Sequence, residues 1–260
     1  MELTIYQVDA FAEKVFEGNP AAVVPLEEWL LDETLQKIAQ ENNLSETAFF
    51  CPAEPNYSIR WFTPLAEVDL CGHATLAASH VLFQNLNYQG NEIRYESRSG
   101  LLTVKKTNGH MVMNFPVSKV EAKYIPPILK TAFNVHPHKC FIGREDLMLV
   151  FKKEEDILSL KPNFMKIMEA TKRGVICTAK SERYDFVSRF FAPAVGIDED
   201  PVTGSAHTML IPYWAGQLNK TEMIAKQVSK RGGILYCKHL GDRVEIGGNA
   251  VTYMVGNITL

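Results

Sequence analysis

Two rhythms of apolar residues run along the chain. Alternation at Ile93–Ser97, Leu101–Lys105 and His110–Asn114 predicts half-buried strands. Asn108-Gly109, between the last two, is the pairing that a type I′ hairpin favours. Short apolar runs bounded by turn residues predict further strands at Thr4–Val8, Ala21–Pro25, Ala48–Cys51 and Ser58–Phe62. The second half offers the same at Cys140–Gly143, Val175–Thr178, Asp185–Phe191, Ile234–Cys237 and Arg243–Ile246. Helical spacing appears at Leu35, Ile38 and Ala39, with Asp32 as the expected N-cap and Asn42-Asn43 as the end. Two longer apolar runs, LAASHVLF after Gly72 and TMLIPYWA after Gly204, read as helices, and Asn163–Thr171 as another helix. Pro212 predicts a kink in the second of these runs.

The two halves echo each other. RWFTP at 60–64 recurs as RFFAP at 189–193, and the Gly72-led helix recurs at Gly204. SRSGLLTV at 97–104 matches SKRGGILY at 229–236, and the Asn108-Gly109 turn falls opposite Gly241-Asp242. The offsets are 129 from Arg60 to Arg189, 132 from Gly72 to Gly204, and 133 from Gly100 to Gly233. They drift in one direction, as an internal duplication with a few inserted residues would. The expected domains are residues 1–118 and 119–260, joined through SKVEAKYIPPIL, with the C-terminal strand free to pack back on the first domain.

Composition narrows the class. Of 260 residues, 46% are hydrophobic and 22% charged, enough apolar content for a packed core. The net charge of −3 gives no bulk attraction to nucleic acid. No apolar stretch reaches the ~20 residues needed to cross a bilayer, and MELTIYQVDAF lacks a signal-peptide pattern. Five scattered cysteines without a C-x-x-C pair read as reduced thiols, hence a cytoplasmic protein.

Candidate chemistry sits where the repeat breaks. At an offset of 129, Glu46 falls opposite Val175, an acid in one half against an apolar residue in the other. Asp200 lies in what look like extra residues, and His73 pairs with Ser205. Local inconsistency of this kind accompanies functional sites, although each acid alone also fits a solvated loop. The helix starts at Gly72 and Gly204 would offer unpaired amides and positive dipole ends to a carboxylate, and would serve equally as permissive turns.

At these motifs the sequence resembles the phenazine-biosynthesis PhzF-type isomerases. The resemblance rests on GNPAAVV at 18–24, NLSETAF at 43–49, FTPxxEVDLCGHAT at 62–75 and DEDPVTGSAH at 198–207. It implies an α+β, diaminopimelate epimerase-like fold: two pseudo-symmetric domains, each a curled, mostly antiparallel sheet around a central helix, with the active site between them. It also implies Glu46 as general acid/base, assisted by His73 and Asp200. Ser205, Gly72 and Gly204 would bind the substrate and Asn19 would line the site, although Asn19 also suits a turn before Pro20. The expected enzyme is a cofactor-independent isomerase of a small carboxylate, working as a homodimer. A carboxyl half-buried between domains would hold and release a proton near neutrality.

Alternatives remain. Racemases of this fold use two thiols; Cys71 precedes Gly72, but Thr203 precedes Gly204, and a hydroxyl is too weak an acid to replace a thiolate. Cys71 then reads as a small buried residue. The only close metal-ligand pairs, His136-Pro137-His138 and Cys71-x-His73, lack second pairs at zinc spacing, so no metal is expected. Phosphate-loop, dinucleotide, zinc-protease and serine-hydrolase motifs do not occur. A catalytically silent binding protein on the same fold is the remaining possibility.

Overall fold

The computed structural model describes residues 1–144 and 146–260. They divide into two units, Met1–Asn114 with Gly247–Leu260, and Phe115–Ile246. The C-terminal strand falls in the first unit.

In chain order the first unit holds β1 (Glu2–Ala10), β2 (Asn19–Pro25), α1 (Asp32–Asn42), β3 (Glu46–Ala53), β4 (Asn56–Phe62), β5 (Glu67–Val68), α2 (Gly72–His80), β6 (Glu92–Ser97), β7 (Gly100–Thr107) and β8 (His110–Pro116). A short π-helical turn, Val81–Asn85, continues α2. β2 and β3 run parallel, β3 and β4 antiparallel, β4 and β6 parallel, and β6, β7 and β8 antiparallel. Parallel strands buried on both faces favour continuous apolar runs, which is why AAVV and AFFC read as strands without alternation. Leu35, Ile38 and Ala39 of α1 pack with Ala22, Val24, Phe49, Cys51 and Phe62. Every α2 residue from His73 to Ser79 is buried, as an all-round apolar helix requires. The N-cap of α1 is Leu31, with no side-chain cap bond. Asp32 instead bonds Arg60 Nη1 at 2.8 Å, a charge-assisted contact that outcompetes a local cap. Asn108 and Gly109 both have positive φ, 52° and 83°, as a type I′ turn demands.

The second unit holds β9 (Glu121–Lys123), α3 (Pro127–Lys130), β10 (Lys139–Ile142), β11 (Leu147–Val150), α4 (Glu154–Leu158), α5 (Phe164–Ala170), β12 (Val175–Lys180), β13 (Phe186–Ala192), β14 (Ile197–Asp200), α6 (Gly204–Leu218), β15 (Glu222–Gln227), β16 (Gly233–His239) and β17 (Arg243–Gly248). β18 (Ala250–Thr259) pairs antiparallel with β1 in the first unit. The pairing order of the first unit recurs: β11 parallel to β12, β12 antiparallel to β13, β13 parallel to β15, and β15 antiparallel to β16, with α6 in the place of α2. Helix α6 is a single element through Pro212. Pro212 has no N–H for the Thr208 carbonyl, which accepts from the Ser118 amide at 3.2 Å instead.

Candidate active site

In the first unit the site is assembled from the starts of three elements. Helix α1 ends at Asn43 in the left-handed conformation, and the chain then enters β3 at Glu46, which pairs with Ala21 of β2. Gly18, at φ +66°, leads into β2; a Cβ there would lie 2.1 Å from the Ala10 carbonyl oxygen, so only glycine fits. The next residue, Asn19, is thereby fully buried. Cys71 caps α2 in an extended conformation, and its carbonyl accepts from the Thr75 amide and hydroxyl. No side chain caps the first amides of α2.

His73 is the hub of this cluster. Its Nε2 lies 3.1 Å from Glu46 Oε2, with the two side chains 7% and 14% exposed. Neither of those atoms makes a hydrogen bond within the protein, so ion pairing is the contact between them. On the other side of the ring, Nδ1 is 3.3 Å from Asn19 Nδ2 and 3.5 Å from Cys71 Sγ. Burial disfavours a charged imidazole, but Cys71 and the Glu46 carboxylate favour it, and the net effect holds His73 well above 6.5. Burial, reinforced by the negative charge of Glu46, pushes the Cys71 thiol up. Cys71 is buried as the sequence suggests, yet it touches His73 and is not a mere filler.

Glu46, His73, Asn19 and Gly72 are therefore neighbours within one unit. Asp200, Gly204 and Ser205 belong to the second. There Asp200 ends β14 and accepts a hydrogen bond from Thr203 Oγ1. Thr203 caps α6 and donates its amide to Gln227 Oε1 at 2.9 Å. Gln227 Nε2 donates to the Asp200 carbonyl at 2.8 Å and to Thr203 Oγ1 at 3.1 Å. Gly204 is buried and Ser205 exposed at the helix start. The fully buried Gln227 escaped the sequence reading, because a glutamine in an alternating strand carries no motif.

Strand registers correct two expectations. Phe49 faces Arg60, and Cys177 faces Arg189, so matching the two arginines sets Glu46 against Gly174 and not Val175. The span from Cys177 to Arg189 is one residue longer than that from Phe49 to Arg60, so the offset is 128 at Phe49 and Cys177 and 129 at the two arginines. A Cβ on Gly174 would meet the Phe190 ring at 2.2 Å and Asp146 Oδ1 at 2.9 Å, which leaves no room for a side chain. Asp200 also has a counterpart: Trp61 faces Val68 where Phe190 faces Asp200. A further acid beside Gly174 was missed, because nothing in GREDLMLV marks it. Asp146 is buried, 3.5 Å from Arg173 Nε, and burial pushes its carboxyl up to about 6 against the pull of the Gly174 amide.

Two units with the same strand order, each with a buried helix at its centre, define an α+β fold of the epimerase type. The chain is similar in fold to a hydroxyproline epimerase from Agrobacterium vitis, with a TM-score of 0.64 at 9% identity over 99% of this chain and 92% of that one. It belongs to the PhzC-PhzF family of phenazine biosynthesis-like proteins, whose model matches residues 8–256. It is 49% identical over the full length of both chains to a Pseudomonas aeruginosa protein named as an uncharacterized isomerase. A crystal structure of a PhzF-family protein from Enterococcus faecalis superposes with a TM-score of 0.97 at 45% identity, covering all of both chains. The protein is thus an isomerase of the PhzF type. No helix among the described residues is long and apolar enough to cross a membrane.

Proposed function

We propose that the protein moves a proton from one carbon to another within a small, unsaturated or cyclic carboxylate, without a cofactor, with Glu46 as the proton carrier. The observation that carries this reading is the contact between Glu46 Oε2 and His73 Nε2, two buried atoms that no other protein group occupies. A carboxylate removes a carbon-bound proton, holds it, and returns it to a second carbon along the same conjugated system. His73 steadies the carboxylate while it is charged. Asn19 and Cys71, at the far side of the ring, fix the imidazole and do not touch substrate. The uncapped amides at Gly72 and His73 would bind the substrate carboxylate and the enolate-like charge that develops. Gly204 and Ser205, with Asp200 holding Thr203, enter the same proposal as substrate-positioning groups. Internal duplication, supported by the recurring strand order, homodimer assembly and a cytoplasmic location are parts of this reading.

A dihydro-hydroxyanthranilate and a panel of small cyclic unsaturated acids, followed by NMR with no cofactor added, test it. A double-bond shift is expected. Racemisation at the α-carbon of an amino acid would instead favour an epimerase, and reaction only on adding a cofactor would overturn the proposal. The two-thiol alternative has little support, since Thr203 stands in the place of Cys71 and spends its hydroxyl on Asp200.

A further inference from the structure

We propose that Glu46, Cys71 and His73 also form a binding site for a soft divalent cation of the zinc class. One ligand atom of each lies within 4.8 Å of the other two. Three atoms so spaced lie within about 2.8 Å (4.8/√3) of a common centre. Zinc takes sulfur at about 2.3 Å and nitrogen or oxygen at about 2.0–2.2 Å, so closure by about 0.5–0.8 Å brings all three into bonding range and leaves the fourth tetrahedral position to water. A second observation points the same way: Glu46 Oε2 and His73 Nε2 are buried and make no hydrogen bond with protein groups.

The donor set selects the ion. Thiolate, imidazole and carboxylate together suit zinc-like metals, whereas calcium and magnesium require shells of oxygen. On binding, a sulfur–metal bond forms and the Cys71 proton leaves to the buffer; the proton on the ligating His73 nitrogen leaves with it, so His73 ligates as the neutral ring. The thiolate and carboxylate then balance the two positive charges, so the buried site ends neutral. The positive end of α2 opposes a cation but stabilises the thiolate beside it. Such an ion would occupy both groups that handle the proton and so block isomerisation.

This inference rests on ligand geometry and not on the proposed reaction, and its test needs no substrate. Cobalt(II) is titrated into the purified full-length protein and the absorption spectrum recorded. The expected result is one equivalent bound, with an intense near-ultraviolet thiolate-to-cobalt band that zinc abolishes and Cys71→Ala lacks. Glu46→Gln should weaken zinc binding by at least about tenfold in competition with a zinc chromophore. It serves as the deciding variant if Cys71→Ala does not fold. A wild-type protein without the charge-transfer band overturns the proposal. So does a band that persists in Cys71→Ala, or unchanged zinc affinity in Glu46→Gln.

Discussion

His207 is fully buried in α6, and its Nδ1 lies 2.8 Å from the Thr203 carbonyl. A carbonyl only accepts, so the ring proton sits on Nδ1, and Nε2 has no partner among protein groups. Charging it would bury a proton with no acceptor; burial accordingly lowers its pKa from 6.5 to about 4 despite the Thr203 bond. A lowered histidine contributes stability that is complete above the unfolded value and is lost as pH falls from 6.5 through about 4, at most about 3 kcal/mol. Urea midpoints at pH 7 and pH 4.5 should therefore converge in His207→Gln relative to wild type. Equal acid slopes in the two proteins would show that His207 does not titrate in this way.

At the scale of elements, the two units each carry an arginine clamp. Arg60 grips Glu67 through Nε and Nη2 at 2.7 and 2.8 Å, and Arg189 grips Glu199 through the same atoms at 2.6 and 2.8 Å. Each guanidinium lies over a phenylalanine two residues on, Phe62 or Phe191, at 5.2 and 4.9 Å. Arg189 also donates to the Ile157 and Leu160 carbonyls, which ties α4 to β13. Arg189→Met leaves Glu199 and two carbonyls without their donor, and should cost about 2–4 kcal/mol by chemical denaturation. Adding Glu199→Leu should recover part of that loss, since the stranded carboxylate goes with it. Gly174→Ala should cost about 1–3 kcal/mol, because the new methyl group meets the Phe190 ring. Gln227→Leu removes the amide that joins Asp200, Thr203 and the start of α6, and should cost about 1–3 kcal/mol. Thermal melts near wild type for either of these two would contradict the packing argument.

Element type was largely legible in the sequence, because strand runs, the Asn108-Gly109 turn and the two all-apolar helices are local signals. What failed was long-range. Asp32 looks like a helix cap until Arg60, twenty-eight residues away, claims it. At Pro212 the sequence shows only the lost N–H; that the Ser118 amide takes up the freed Thr208 carbonyl is visible only in the fold. Register between repeats could not be fixed to one residue from offsets that drift, so Glu46 was set against Val175 in place of Gly174.

For the molecule as a whole, family membership and the repeated strand order define the fold, and the Glu46–His73 pair defines the chemistry proposed for it. Glu46 was legible as an acid set against an apolar residue of the other half, and its proposed role with His73 through the resemblance to PhzF-type isomerases. The network around it was not: Asn19 and Cys71 meet His73 only through folding. Transfer of solvent deuterium tests the central claim most directly. In D2O, the wild-type protein should place deuterium on the accepting carbon of its substrate in each turnover where the proton held by Glu46 exchanges with solvent before it is delivered. Glu46→Gln, with its fold and melting temperature intact, should do so at least about a hundredfold more slowly. Incorporation by Glu46→Gln at the wild-type rate would mean that another group carries the proton.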